Sequence, residues 1–583
     1  MKKYLYILLT AGTIASLTSC DRLLDNNRFP LDTTTNTPEF WNNTTNVQGE
    51  VNGLYNYYYG YGNAAGRNGT FYFESLNDDQ VGNIANGGGT FYEWYDLTVP
   101  STQSTWDTNY IIIRRCNYII QGVTASGNTL NESVRNNFIG LARANRARAY
   151  YHLVQHFGDV PLVLTVLDPS DEAELYGPRT NRETVMDQVL QDLDFAIANI
   201  SAVGAENSPL EFSQDMAKAL KAEICLYEAS YAKYHSNNSA RATQFYNEVV
   251  SAATPLLSKY GFCSNYKSLY NSSYSGEDGT ALLQNNPEII FMKAYIRGAL
   301  ANSISKYTAT ATLICGLTKD AFDSYLFVDG KPLASTTENT SDMGYMDETG
   351  LCIQDLLDVR DQRLAAVIDP YVNFNGNVDN LVYIRNNSEA FTSSTGYSVS
   401  KFYNPLMNTT SATLDGQGYL AAPLFWKSKV ALEFAEAKAE LGTLTDADLN
   451  ISLNPLYERA GLPAQTVSSL STINDPANNM GVSSLIWEVR RCRRAELMFD
   501  GYRYWDLVRW HQLEIMDTNN YPNVNLGANI TPALADYPAQ NVNGYFNYYP
   551  NNSRTYNSKY YLWPIGQAQI NLNPNLTQNP GWN

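Results

Sequence analysis

Apolar residues recur at steps of three and four over long stretches of this chain. Val185, Val189, Leu193, Ala196 and Ile200 are spaced four, four, three and four apart, which puts them on one face of a helix. Thr180 and Glu183 stand ahead of that stripe with capping-box spacing. The same period predicts a helix over residues 131–157, with Phe138, Leu141, Ala142, Ala149, Leu153 and Phe157 inward and Gly158-Asp159-Val160-Pro161 as its stop. Another opens at Thr37-Pro38 and carries Val47, Val51, Leu54 and Tyr58; one near Thr105 carries Trp106, Tyr110, Ile113, Asn117 and Ile120. Ala217, Leu220, Ile224, Tyr227, Tyr231 and Tyr234 form a further stripe, followed by Phe245, Val249 and Leu256, with Pro255 placed to bend the helix. Helices return over residues 426–441, with Val430, Phe434, Ala437 and Leu441 inward and Gly442 as stop, and over residues 450–460.

Paired helices of this length, with alanines at close-packing positions, predict helical hairpins stacked as in tetratricopeptide repeats, although no strict repeat period is visible. Between residues 261 and 423 the helical pattern fails. Strand-like pieces such as Glu288-Ile289-Ile290-Phe291 alternate there with Asn, Ser, Thr and Gly, apart from helical pieces over 320–327 and 355–368. The expected fold is mainly α: a tetratricopeptide-like helical-hairpin scaffold over about 37–260 and 424–583, forming one domain with a large, irregular, loop-rich insertion over about 261–423.

Residues 62–100 also lack helical period, yet they hold Phe71, Tyr72, Phe73, Phe91, Tyr92, Trp94 and Tyr95 among Gly and Asn. A long loop with this many rings reads as a ligand surface rather than as disorder. Composition points the same way: 43 Tyr against 21 Phe is more hydroxyl-bearing ring than a core alone favours, and suits a wet surface that stacks on polar ligands. Net charge is −18 and no Lys/Arg run forms a basic patch, so nucleic acid is not an expected partner.

Lys2 and Lys3 precede an apolar run over residues 4–17, shorter than the roughly 20 residues a membrane-spanning helix needs, so residues 1–19 read as a signal peptide. It ends in Leu17-Thr18-Ser19-Cys20, which resembles a bacterial lipobox and makes Cys20 the expected lipid attachment point. At about 0.8 kcal/mol per buried methylene, more than one acyl chain anchors stably. Residues 20–36 then read as a tether. The other six cysteines, 116, 225, 263, 315, 352 and 492, form no Cys-x-x-Cys pair and are expected to be small buried residues, with any disulfide pairing left unassigned.

Residues 483–510 concentrate charge and bulk. Arg490, Arg491, Arg493 and Arg494 are costly to bury alone, while Leu497, Met498, Phe499, Tyr504, Trp505 and Leu507 demand burial. The expected solution is a clamp between two helices in which Glu496 and Asp500 sit among guanidinium groups and Gly501 ends or kinks the first helix.

Residues 493–507 of this segment, an arginine run, Glu-Leu, an aromatic, acid-Gly, then Arg503-Tyr504-Trp505-Asp506-Leu507, resemble the late helix motif of the SusD/RagB-like family of outer-membrane nutrient-binding lipoproteins. Cys492 and Ala495 stand where charged residues are usual, and Asp500 stands for the commoner Glu. Residues 147–162, ending in Gly158-Asp159-Val160-Pro161-Leu162, are similar to the family's early helix, and residues 433–442 to its Ala-Glu-Ala helix. Leu562-Trp563-Pro564-Ile565 and residues 573–582 match its C-terminus, with Gly566 where a second proline is common. The resemblance implies a non-catalytic glycan-binding protein on the outer face of the outer membrane, acting as lid over a SusC-like TonB-dependent transporter barrel.

Sugar recognition needs flat rings over C–H faces, and amides, carboxylates and guanidiniums for hydroxyls. The candidates are Trp94, Tyr92 and Tyr95 for stacking and Asn83 and Asp79 for hydroxyls, with Tyr295, Arg297 and Tyr307 from the insertion. No cofactor is expected. Asp78-Asp79 offer calcium-type oxygens, but no loop of alternating donors surrounds them, so calcium stays unassigned. His152 and His156 lie four apart without the Glu of a His-Glu metal motif between them, and read as packed residues. Two other classes stay open: a helical glycosidase, needing two carboxylates about 5 to 10 Å apart, or a ligand-free assembly scaffold. The same scaffold also suits a peptide or another nutrient.

Overall fold

The computed structural model describes residues 37–63, 65, 69, 77–82, 98–125, 127–201, 208–310, 315–374, 384–386, 388, 390–536, 540–551 and 553–582. The signal peptide, Cys20 and the tether lie outside these residues. Helix α1 (Thr44–Asn52) is separated by Asn42 and the N-cap Asn43 from a single turn, Pro38–Trp41, so the first predicted helix is broken in two. Helices α2 (Ser104–Thr124), α3 (Glu132–Phe157), α4 (Arg182–Asn199), α5 (Gln214–Tyr234) and α6 (Ser239–Lys259) then pack each on the next. Most residues of the predicted stripes are buried, Tyr110, Ile120, Tyr231 and Tyr234 being half-buried, and α3 and α5 are buried on nearly every face besides. The cap of α4 differs from expectation: Asn181, not Thr180, accepts the Glu183 N–H at 2.9 Å, because Thr180 is held in a backbone bridge to Val160.

After the insertion, α7 (Lys427–Glu440) lies against α5 and α6, α8 (Ser484–Glu496) lies against α7, and α9 (Arg503–Arg509) returns to α5. Buried guanidinium–carboxylate bonds tie the layers. Arg146 of α3 makes two 2.8 Å bonds to Asp192 of α4 and a third to Asn117 of α2. Arg182 of α4 donates to Glu228 of α5 at 2.7 Å, and Arg241 of α6 donates to the same carboxylate. No helix among the described residues is long and apolar enough to cross a membrane.

The insertion is less irregular than its sequence suggests. Strands β1 (Gln80–Gly82) and β3 (Cys315–Leu317) pair antiparallel, with Gln80 opposite Leu317 and Gly82 opposite Cys315. Strands β2 (Ile289–Lys293) and β4 (Ala422–Trp426) pair antiparallel with Ile289 opposite Trp426, and this ribbon closes the base of the insertion. The predicted helix over 355–368 is two short ones, Gln354–Asp358 and Gln362–Val367. These elements enclose an apolar core of their own, including Leu269, Phe322, Tyr397 and Phe374, which also takes in Leu432 of α7 and Val489, Cys492 and Phe499 of the arginine segment. The helical layers form a separate core that includes Tyr504, Leu507 and Trp510.

Residues 484–509 therefore sit astride both cores. The pairing of their charges runs between elements rather than along one helix. Glu496 accepts from Arg363 at 3.0 Å and from Arg459, both outside its own helix. Asp500 meets a lysine instead of a guanidinium, accepting from Lys401 Nζ at 2.6 Å and from the Tyr270 hydroxyl at 2.8 Å. Arg493 bonds Asp506 at 2.7 Å, Arg509 bonds Glu436 at 2.7 Å, and Arg490 bonds Glu440 at 3.0 Å. The helix stops before Gly501, which has φ +83°; the buried Phe499 is also left-handed at +66°, a strained state for a ring-bearing residue.

Arg494 reaches across to the N-terminal region, bonding Asp79 at 2.6 Å and Asp320 at 2.8 Å, while Arg503 makes two 2.7 Å bonds to Asp78. Burial alone would raise Asp78, but Arg494 and Arg503 hold it well below the usual carboxylate range. Burial raises Asp79 to about 6 despite Arg494, and the adjacent Asp78 charge adds to the rise.

All six cysteines are buried free thiols. Among the described residues many tyrosines are internal: Tyr150, Tyr246, Tyr270, Tyr325, Tyr397 and Tyr419 are fully buried. Their hydroxyls serve as internal donors, as where Tyr150 bonds the Val163 carbonyl at 2.7 Å and Tyr266 the Glu496 carbonyl at 2.8 Å. The surplus of hydroxyl rings is thus no measure of ligand surface.

Two predictions test the clamp. Glu496→Ala leaves Arg363 and Arg459 short of a partner in a buried site and should cost about 3–5 kcal/mol, read as a lowered urea midpoint at unchanged slope; a loss under about 1 kcal/mol contradicts the pairing. Asp78→Asn should cost about as much, and Asp79→Asn clearly less at neutral pH. The sign differs because a depressed Asp78 contributes stability that is lost as pH falls. Asp79, with its pKa raised to about 6, makes stability decline as pH rises from about 4 to 6, and that decline should vanish in Asp79→Asn. Equal losses for the two variants, with the slope retained, contradict the assignment.

Candidate functional site

The ringed loop departs from a fixed point. Leading into β1, the Asp78 carbonyl accepts from the Thr318 hydroxyl at 2.7 Å and the Asp79 carbonyl from the Thr318 N–H at 2.9 Å. At the other end of β1 the Tyr549 hydroxyl donates to the Gly82 carbonyl at 2.7 Å, and Ser394 donates to the Val81 carbonyl. Strand β1 is thereby bound to the insertion, to the arginine segment and to the C-terminal region at once. Asn83, Tyr92, Trp94 and Tyr95 follow directly and lie outside the described residues. Beyond them, the Pro100 carbonyl accepts from Gln567 N–H at 2.9 Å, so the chain is held again where the description resumes.

Asp79 does not present its carboxylate to solvent. It is 1% exposed and bonded to Arg494, so its role is to fasten β1 rather than to meet a hydroxyl. The two charges that sequence offered as calcium oxygens are likewise already balanced by guanidinium groups.

In the insertion, Tyr295 is fully buried. Its hydroxyl donates to the Gly62 carbonyl at 2.7 Å, with the Tyr59 carbonyl 3.0 Å away, so it shapes the turn that begins the loop region. Lys293 reinforces that turn by donating to the Tyr58 carbonyl at 2.9 Å, and burial lowers its ammonium to about 8. Tyr307 is nearly buried, and its hydroxyl donates to Asp415 at 3.2 Å. These two rings are struts, placed so by the packing of the insertion's own core.

Arg297 alone of the three reaches the surface. It pairs with Glu277 at 3.0 Å and Asp278 at 3.1 Å and lies 5.2 Å over the Tyr419 ring. Asp278 also accepts from the Asn408 side chain at 3.0 Å and from the Tyr419 hydroxyl at 2.7 Å. That bond from Tyr419, with one from the Asn408 N–H, holds the Asp278 carboxyl below its ordinary value. A guanidinium, two carboxylates and an amide thus meet on one face, backed by the buried Tyr419 phenol and flanked by the exposed Ile296, Leu300 and Leu406. Both hydroxyl-binding groups and apolar contact area are present there. Sequence reading missed Asp278, Asn408 and Tyr419, which lie up to 141 positions apart and share no motif.

Of the histidine pair, His156 is buried and His152 half-buried. His156 donates from Nδ1 to the His152 carbonyl at 2.7 Å, and its ring is 4.5 Å from Trp505 and 4.9 Å from Trp563. Burial pushes it down to about 4, so it is neutral at physiological pH. Among the described residues no three His, Cys, Asp or Glu side chains converge as metal ligands would.

A family described as starch-binding and associating with the outer membrane matches residues 31–226. Among curated relatives, a SusD-like protein of Formosa agariphila is 25% identical over 435 residues, covering 71% of this chain and 74% of its own length. A second from the same organism is 25% identical over 172 residues, 30% of this chain, and the chain spans only 31% of that relative's length. A crystal structure of a SusD-like carbohydrate-binding protein from Bacteroides fragilis shares the fold at a TM-score of 0.69 and 20% identity, over 92% of this chain and all of the other. The SusD family itself matches residues 265–582, which include the insertion face, the arginine segment and the C-terminal region, and the chain belongs to that family.

Proposed function

We propose that this protein is a cell-surface lipoprotein, anchored at Cys20 in the outer membrane, that captures oligo- or polysaccharide without cleaving it. It delivers the ligand as lid subunit to a SusC-like TonB-dependent barrel. One observation carries the reading: in a chain of the SusD family, the segment bearing Tyr92, Trp94 and Tyr95 springs from a strand bonded to the insertion and to the arginine segment. Such anchoring makes β1 itself a rigid base, and a rigid base lowers the entropic cost of ordering a binding surface.

The chemistry of the Arg297 face supports binding over turnover. A glycosidase requires one carboxylic acid kept protonated beside the scissile bond. Asp278 is biased the other way, toward its ionised form, by the Tyr419 hydroxyl. Asp79, the buried carboxyl with a raised pKa beside the ringed loop, is bonded to Arg494 and out of reach of substrate. The likeness to a carbohydrate-binding protein of Bacteroides fragilis and to a starch-binding family supports a glycan as ligand.

Incubation of the mature protein with a polysaccharide panel tests this reading. The expected result is binding with no new reducing ends, together with co-purification of a barrel partner from membranes. Trp94→Ala should weaken that binding about three- to tenfold, the worth of one stacked ring, with the urea midpoint unchanged. Release of reducing ends would instead establish a hydrolase, and unaltered affinity in both Trp94→Ala and Arg297→Ala would remove these faces from the binding surface.

A further inference from the structure

Residues of α3, α5, α9 and β4 surround a cavity of about 210 Å³, and none of Asp79, Arg297 and Tyr307 lines it. An apolar cavity of about 150 Å³ holds a benzene ring, so one aromatic ring fits this one. Tyr151, Tyr227 and Phe425 form buried walls, with the Tyr151 and Tyr227 rings 5.5 Å apart. Arg148, Glu223, Tyr502 and Trp505 are half-buried and form its open side.

The polar groups of that open side are unspent and within reach of solvent. Arg148 donates once, to the Tyr57 carbonyl at 3.2 Å, and its Cζ lies 4.2 Å over the Tyr58 ring; no carboxylate among the described residues pairs with it. A guanidinium has five N–H donors, so most of its capacity is open. Glu223 on α5 gives one oxygen to Lys429 at 2.7 Å; its other oxygen has no partner among the described residues, and its side chain is 18% exposed. The Tyr502 hydroxyl and the Trp505 Nε1–H likewise have no hydrogen-bond partner among the described residues, and neither atom is sealed from solvent.

Charge decides the ligand class. The other charged side chains that line the cavity already face partners: Arg493 and Arg509 face Asp506, Asp500 faces Lys401, and Glu433 faces Lys429. What stays open is a guanidinium on α3 and a carboxylate oxygen on α5. Both lie near the Tyr58 hydroxyl: burial raises its pKa, Arg148 opposes the rise and Glu223 adds to it. A guanidinium takes a carboxylate in bidentate geometry, and a carboxylate oxygen takes an ammonium. A neutral sugar has no charge to set against either group, whereas a small dipolar ligand with an apolar ring meets both charges and the ring-lined walls at once.

We propose that this cavity binds a free aromatic α-amino acid, with its carboxylate on Arg148, its ammonium on Glu223 and its ring against Tyr151 and Tyr227. The Tyr502 hydroxyl and the Trp505 Nε1–H are further donors for its carboxylate oxygens. The assignment is independent of the glycan-binding reading.

Calorimetry and saturation-transfer NMR on the mature protein compare L-phenylalanine with 3-phenylpropionate, which lacks the ammonium, and with phenethylamine, which lacks the carboxylate. Phenylalanine should bind, and each truncated compound should bind about tenfold or more weakly, the loss of one charge-assisted contact. Arg148→Met should weaken phenylalanine by about the same factor and leave phenethylamine unchanged, whereas Glu223→Gln should weaken phenylalanine and spare 3-phenylpropionate. A general loss of structure does not produce that exchange of effects. Because Glu223 also holds Lys429, Arg148→Met, which breaks no ion pair among the described residues, decides the outcome if Glu223→Gln fails to fold. No binding of phenylalanine overturns the site. Equal binding of either truncated compound overturns the dipolar ligand class, and undiminished phenylalanine binding in Arg148→Met overturns the place of the carboxylate.

Discussion

A guanidinium cannot be left unpaired in a protein interior, and this fold is arranged around that constraint. Desolvating an arginine costs several kcal/mol unless a carboxylate and further hydrogen bonds replace its water. Residues 484–509 bury Arg490, Arg491, Arg493, Arg503 and Arg509 and half-bury Arg494, and each meets an acid outside its own helix: Glu440 and Glu436 on α7, Asp475 in the preceding loop, Asp506 on α9, Asp78 and Asp79 beside β1. Satisfying those charges brings the helical layers, the insertion and the N-terminal region to one place. Apolar burial then contributes most of the stability, as Val489 and Phe499 enter one core and Leu507 and Trp510 the other.

This arrangement has a consequence for binding. The residues leading into β1 belong to the charged junction, since Asp78 and Asp79 are bonded to Arg503 and Arg494. Asp79 and Tyr295 both serve from behind the surface, one by holding β1 to Arg494 and the other by holding the turn at Gly62. The lowered Asp278 carboxyl fits the proposed capture role better than acid catalysis.

Helices were legible in the sequence where apolar residues recur at helical steps over a long run: α4 buries one such stripe, while α3 and α5 keep the period although nearly every face of them is buried. The arginine segment was also legible as a clamp, since its bulk and charge admit few other solutions. Its partners were not, because Arg363 lies 133 positions and Arg459 37 positions from Glu496, and charge complementarity alone cannot choose among 58 acidic residues. The insertion's core escaped detection for a related reason. It is assembled from short pieces, such as the stacked Phe322 and Tyr397, whose rings are 4.7 Å apart but whose positions share no period. Of the site residues, ring type identified Tyr295 and Tyr307 yet could not show that their hydroxyls are turned inward to a carbonyl and a carboxylate.

The central claim is that the arginine junction makes scaffold and insertion one cooperative body. Native-state hydrogen exchange followed by mass spectrometry tests it directly. Peptides from β2 and from Gln362–Val367 should open only at the free energy of global unfolding, within about 1 kcal/mol of peptides from α5 and α7. Opening of the insertion peptides several kcal/mol below the helical layers would show that the two cores come apart on their own, and would contradict the account.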